Sequence, residues 1–222
     1  MLDVENYLFD KNKISTGIKG LDLMLLGGYK SNSAIAIIGG VEKTKYLFGY
    51  YFMMFPPSIC VAIDLSPTEI IEKASEYRVD LSNVEFIDVY SKQAGVKPRK
   101  KDVVVSSISS LTDISISLTK LLEGKENPRV VFMSYSTLHT SVKKDSAYSF
   151  LNVIEGKIKP KNGSLMLIID KFAHDKMDLK KLLGIVDEHY EIITKNNSTY
   201  IKGKNLQIPA HFIISPVGIE VL

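Results

Sequence analysis

The residues best able to do chemistry lie between Gly39 and Tyr46, where the chain reads Gly39-Gly40-Val41-Glu42-Lys43-Thr44-Lys45-Tyr46. A glycine turn with a lysine at the head of a helix is a layout that holds phosphate. In the G-x-x-x-x-G-K-[ST] pattern, glycines let backbone N–H groups curl around the anion, the lysine reaches the β- and γ-phosphates, and the hydroxyl ligates Mg²⁺. Gly39 and Lys45 fill their places, with Gly40, Lys43 and Thr44 between them as further candidate nucleotide contacts. Thr44 replaces the second glycine, Tyr46 replaces the hydroxyl, and Glu42 puts a carboxylate where phosphates would sit. A carboxylate facing a polyphosphate costs on the order of kcal/mol unless a neighbour such as Lys43 neutralises it. A register that uses Lys43-Thr44 as the lysine–hydroxyl pair restores a hydroxyl and shortens the loop; the gapless register keeps the flanking elements in place.

Other chemistry-bearing residues are sparse. Asp64 ends an apolar run and is either a catalytic carboxylate or a cap for the helix that follows. Asp170 and Asp175 flank Lys171 and His174 at a strand end, the edge at which ligands bind in α/β folds. The four histidines, His139, His174, His189 and His211, are scattered at spacings that give no zinc site, and no metal is expected. Basic groups at Lys97 to Lys101, Lys157 to Lys161 and Lys180-Lys181 could form a nucleic-acid footprint. They lack interleaved aromatics and hold a single arginine, Arg99, which favours solvated surface.

The elements that position these residues follow from periodicity. Leu21, Leu25 and Leu26 share one helical face before Gly27-Gly28 stops the helix. Ala34 to Ile38 is a continuous apolar run, as suits a strand buried on both faces of a parallel sheet. Lys45 to Phe55 reads as the helix behind the loop, ended by Pro56-Pro57. Ile59 to Ile63 is a second strand, and Ser66-Pro67-Thr68-Glu69 opens a helix to about Arg78. Val84 to Val89, Val130 to Ser134 and Ser164 to Ile169 are further strands. Helices are predicted up to Glu123, from Asp145 to Ile158 and from Met177 to Leu183. Beyond Ile185 the segments 188–194, 198–201 and 211–214, broken by Asn196-Asn197, Gly203 and Pro209, predict an antiparallel meander at one edge. The expectation is an α/β fold: a mainly parallel central sheet flanked by helices, with C-terminal antiparallel strands, in one domain over residues 1–222. Residues 1–13 form a lead-in that packs through Tyr7, Leu8 and Phe9.

Composition narrows the class. The hydrophobic share of 45% over 222 residues supports one sizeable core. Arg78, Arg99 and Arg129 are the only arginines among 28 basic residues, and the net charge is +3, which argues little for a protein that coats nucleic acid. The lone Cys60 leaves no intrachain disulfide and suits a reducing compartment. No apolar run approaches the roughly 20 residues that cross a bilayer, and the N-terminus lacks the apolar core of a signal peptide, so a cytoplasmic location is expected.

The combination resembles the KaiC/RadA-like branch of the RecA-type P-loop ATPases over nearly the whole chain. The family's threonine-glycine-x-x-x-leucine-aspartate opening is matched by Thr16-Gly17-Ile18-Lys19-Gly20-Leu21-Asp22, followed by Gly27-Gly28. The closing strands are matched by GIVDEHYEIITKNNSTYIKGKN, with Asp187 at its start, and by PAHFIISPVGIEVL, with Gly218-Ile219. The resemblance implies a RecA-like P-loop fold and ATP as ligand. It also implies an aspartate for Mg²⁺ at the end of one strand, where Met133 stands, and a carboxylate pair after the second strand, where Asp64-Leu65 stand. An intersubunit lysine-x-arginine is matched by Lys202-Gly203-Lys204, which keeps charge without the planar bidentate grip.

With Tyr46, Met133 and Leu65 at chemistry-bearing positions, the expected function is a catalytically degenerate domain that acts by binding, with weak ATP or none and no Mg²⁺. Its partner would be a second copy or a related RecA/KaiC-type ATPase. The resemblance places such paralogues, mostly archaeal, in DNA recombination and repair or in signalling. Two alternatives stand beside it: a surviving ATPase that uses Lys45, Asp64 and a partner's lysines, and a nucleic-acid-binding module without nucleotide chemistry.

Overall fold

The uninterrupted apolar runs become strands because only a position between two helical layers hides both of their faces. In the computed structural model, residues 10, 12–40, 44–195, 198–215 and 218–222 are described. The lead-in residues Tyr7, Leu8 and Phe9, the loop residues Val41, Glu42 and Lys43, and Asn196-Asn197 lie outside them.

The chain runs β1 (Lys13–Ile14), α1 (Lys19–Met24), β2 (Tyr29–Lys30), β3 (Ala34–Gly39), α2 (Thr44–Met53), β4 (Ser58–Ala62), α3 (Pro67–Ser75), β5 (Glu85–Asp88) and β6 (Val103–Val104). It continues through α4 (Leu111–Leu122), β7 (Arg129–Met133), α5 (Tyr135–Ser141), α6 (Lys144–Ile158), β8 (Ser164–Asp170) and α7 (Lys176–Leu183). The closing strands are β9 (Glu188–Lys195), β10 (Ser198–Gly203), β11 (Ala210–Ser215) and β12 (Gly218–Val221). A ten-stranded sheet has the order β12-β11-β10-β9-β3-β8-β7-β4-β5-β6. From β9 to β6 every pairing is parallel, and β9 to β12 form the antiparallel meander that the sequence predicts.

The sheet divides the core in two. One side packs α1, α2 and α3 through Leu21, Phe48, Phe52, Ile70 and Met133; the other packs α4, α6 and α7 through Leu118, Leu151, Ile154 and Leu182. The helix α2 is apolar nearly all round and sits tightly on the sheet. A Cβ on Gly49 would lie 3.0 Å from Met133 Sδ and 3.5 Å from Val131 and Ile168, so this glycine sets the closeness of α2 to β7 and β8. α3 starts as its sequence dictates: Ser66 Oγ accepts from Glu69 N at 3.2 Å, Glu69 Oε2 accepts from Ser66 N at 2.9 Å, and Pro67 takes the first turn.

The matched family motifs have structural roles of their own. Asp22 accepts from Ser15 Oγ at 2.5 Å and from Thr16 N at 2.6 Å, which fixes the turn into α1. Asp187 clamps the start of β3, its carboxylate accepting from Ala34 N at 2.8 Å and its own N–H donating to Ala34 O at 2.9 Å. Gly218, at φ +123°, lies so near the Tyr51 hydroxyl that a Cβ would come within 2.1 Å of it. Among the described residues no helix is long and apolar enough to cross a membrane.

Candidate functional site

The C-terminal ends of β3, β8, β7 and β4 bring the candidate residues to one edge. Gly39 ends β3, Gly40 follows it, and Thr44 and Lys45 open α2. Lys45 is 3% exposed although it carries a charge. Its Nζ donates to Gly40 O at 2.5 Å and to Asp170 Oδ2 at 3.0 Å. Asp170 stands at the end of β8, directly beside Gly39 in the parallel register, so strand pairing itself delivers the carboxylate to the lysine. The ammonium is therefore in direct contact with an internal carboxylate.

Asp170 is held in turn. Its Oδ1 accepts from Phe172 N at 2.9 Å, and its own N–H donates to Ser136 Oγ at 2.8 Å. Ser136 lies in α5, and its Oγ is 2.8 Å from His174 Nε2. The His174 and His139 rings meet edge to face at 4.9 Å, so two histidines far apart in sequence become one cluster. Burial lowers the pKa of both below the usual histidine range, and for His174 the neighbouring His139 adds to the effect. Tyr148 completes the cluster 5.1 Å from His139, and Lys144 bonds Asp178 and Asp175 at its rim.

On the other side of Lys45 lies Tyr46, with the Lys45 ammonium 5.6 Å from its ring centroid. Its phenol is pushed above the usual range, first by burial and then by the Asp64 charge. Asp64 sits just beyond β4, and its Oδ2 accepts from Thr137 Oγ1 at 3.0 Å. Thr137 pairs with Ser134 at 2.8 Å, and Ser134 takes a left-handed φ of 71° where β7 gives way to α5. The cap of α3 is Ser66, so the reading of Asp64 as that cap is corrected. Met133 is buried against α2, and Leu65 packs on the core. Magnesium takes hard oxygen ligands in near-octahedral geometry. A thioether in the core, an aliphatic side chain and a neutral phenol do not fit it. Among the described residues no group of three or more His, Cys, Asp or Glu could hold a metal ion.

A cavity of about 360 Å³ opens beside Tyr46, lined by Tyr50, Tyr77, Leu65 and Ile214 with Asp64 and Glu76 at its polar side. Lys202 and Lys204 are exposed on and just past β10. Lys202 Nζ is 2.9 Å from Glu191, which Lys171 also meets at 2.8 Å. Burial works to raise the Glu191 carboxyl, but the two ammonium groups hold it below the usual range. Gly39, Gly40, Thr44 and Lys45 are thus brought together, Asp64 is linked to them through Tyr46, and Lys202 and Lys204 stay outside within this chain. Ser136, Thr137 and the His139–His174 contact were missed, since each arises from the unpredicted helix α5. The Ser134-x-x-Thr137 spacing after an apolar strand was the available signal.

Several members of the basic groups are engaged within the chain. Arg99 chelates Asp102 at 2.5 and 2.7 Å and lies 4.7 Å over Phe86, Lys159 pairs with Glu155 and Asp187, and Lys181 lies 4.3 Å over Tyr148.

The model of the family described as "ATPase: KaiC" matches residues 14–193. A UPF0273 protein of Sulfurisphaera tokodaii is 26% identical over 141 residues, covering 58% of this chain and 50% of that protein. One of Thermotoga maritima is 25% identical over 138 residues, covering 57% of each. The chain spans about half the length of these relatives. Among solved structures, a KaiC-like protein of Pyrococcus horikoshii superposes with a TM-score of 0.69 at 13% identity over 95% of this chain and 98% of that one. An uncharacterized protein of the same organism, in complex with an unknown peptide, gives 0.70 at 14% over 95% and 99%. At these identities the structural likeness speaks for the fold.

Proposed function

The chain belongs to the KaiC family of ATPases, and from that premise we propose that it is a catalytically degenerate member that works by binding, as a regulatory or assembly partner of a second copy or of a related RecA/KaiC-type ATPase. The observation that carries this reading is the contact between Lys45 and Asp170 at 3.0 Å, with the lysine almost wholly buried. A P-loop lysine serves catalysis as a point charge on the β- and γ-phosphates. Here that charge is already matched by a carboxylate that also accepts from Phe172 N, on a residue whose own N–H is tied to Ser136 Oγ, and an entering polyphosphate would have to displace an anion from it. Tyr46, Met133 and Leu65 add the same direction at the metal and water positions.

The test is ATP hydrolysis by the purified chain with Mg²⁺. The expected result is no turnover above a blank, and none gained on mixing with Lys45→Ala protein. Turnover abolished by Lys45→Ala would overturn the reading.

A second reading draws on the 30% exposure of Asp170, which leaves the ion pair within reach of solvent. On it, the pair is a displaceable latch, and the chain binds ATP without hydrolysing it. Mg·ATP would then bind saturably and raise the unfolding temperature with the logarithm of its concentration, a stabilisation of about 2.7 kcal/mol at a hundred times the dissociation constant. No shift at millimolar ATP removes this second reading.

A further inference from the structure

A second region handles cationic side chains in the opposite manner. At the N-terminal edge of the parallel sheet, a cleft of about 450 Å³ is bounded by β1, the turn after β2 and the starts of β7 and β8. Among the described residues its lining holds two cations, Lys13 and Arg129, and no carboxylate; the rest is almost entirely amide and hydroxyl, including Asn32, Asn127, Asn162 and Ser164. Asn32, Asn127 and Asn162 take left-handed φ values of 50°, 52° and 54°, which explains them as turn residues; the Asn32 amide donates to Lys159 O at 3.1 Å and Gly163 O at 3.3 Å, which leaves the amides of Asn127 and Asn162 at the opening.

Arg129 is the unusual member. Its guanidinium lies 5.0 Å from the Phe52 centroid and 4.4 Å from that of Phe55. Its Nη1 donates to Ser15 O at 2.8 Å and to Phe52 O at 3.3 Å. Those bonds use two of the five N–H donors of the fork. Among the described residues no carboxylate lies within ion-pair distance of it. Asp22, the acid nearest in electrostatic effect, spends its oxygens on Ser15 and Thr16. Arg99, by contrast, is chelated by Asp102. A guanidinium partly withdrawn from water, with only the more distant charge of Asp22 and no ion-pair partner in contact, keeps a desolvation cost that an incoming anion would relieve, and its planar fork matches carboxylate and phosphate oxygens in pairs.

We propose that this cleft binds a small polar molecule through an oxyanion, phosphoryl or carboxyl, that meets Arg129 and Lys13 while the asparagine amides take its remaining polar groups. The site lies at the opposite end of the strands from Lys45 and does not depend on nucleotide chemistry there.

The experiment titrates the full chain with inorganic phosphate and, separately, with citrate, at ionic strength held constant with chloride, reading amide shifts in a ¹H–¹⁵N spectrum. The expected result is saturable shifts in residues around the cleft, with phosphate or citrate alone saturating according to which oxyanion the cleft prefers. Asn127→Asp, at an exposed turn position that tolerates the change, and Lys13→Gln should each weaken binding by about tenfold or more, while Lys45→Met leaves it unchanged. No saturation by either ion at tens of millimolar would overturn the proposal. So would saturation that is lost in Lys45→Met and kept in Asn127→Asp, which would assign the anion to the other edge.

Discussion

The two ends of the parallel sheet treat positive charge in contrasting ways. At the C-terminal edge, where an α/β fold usually meets its anions, Lys45 is buried and paired with Asp170 at 3.0 Å. At the N-terminal edge, Arg129 and Lys13 line a cleft to which the described residues bring no carboxylate. The difference teaches that place in a fold does not settle chemistry. What counts is whether the protein has already supplied the counter-charge. Strand register supplies it at one end, since Gly39 pairs with Asp170; at the other, the residue of β8 set against Arg129 in the parallel ladder is Ser164.

Variants at each end can break or sharpen this contrast. Asp170→Asn leaves a buried ammonium without its anion and should cost about 2–3 kcal/mol, below the full range for a buried pair because the carboxylate is 30% exposed. Urea unfolding measures it, and adding Lys45→Met should recover most of the loss. A cost near zero would mean that the pair is no more than a surface contact. Arg129→Met should cost less, about 1–2 kcal/mol for two hydrogen bonds to carbonyls, because no carboxylate is left unpaired. If Arg129→Met proves the costlier of the two, the contrast between the ends fails.

The histidine cluster behind Asp170 predicts a pH dependence. His139 and His174 are held below their ordinary pKa by burial, so over the window beneath the unfolded value, about 6.5, the unfolded chain binds more protons than the folded one. Their contribution is therefore present above that value and lost as pH falls through the folded values. Denaturation midpoints at successive pH should drop on acidification, and His174→Gln should reduce that slope. The smallest effect belongs to Lys202→Ala: exposed and paired only with Glu191, it should alter monomer stability by about 0.5 kcal/mol or less. A change in sedimentation with unchanged stability would give Lys202 the intersubunit role that the family resemblance implies.

Much of the fold is legible in the sequence because burial on both faces leaves a plain mark. Ala34 to Ile38 and Ser164 to Ile169 have no polar alternation to misread, and Ser66-Pro67-Thr68-Glu69 carries a complete capping box. Helix α5 is not legible: Tyr135 to Ser141 is short and rich in Ser and Thr, and its place is fixed by contacts of Tyr135, Leu138 and His139 with distant elements. The site shares that limit. Asp170 was visible as a strand-end acid, yet its pairing with a lysine 125 residues away depends on β3 and β8 being neighbours. The closeness of His139 and His174 depends likewise on α5 packing against the turn after β8.

The central claim is that Asp170 occupies the charge that a phosphate would need. The most direct measurement is calorimetric titration of Mg·ATP into the wild-type chain and into Asp170→Asn at equal ionic strength. The account predicts no saturable heat from wild type and measurable binding from Asp170→Asn, lost again when Lys45→Met is added. Binding as tight in wild type as in Asp170→Asn would contradict it.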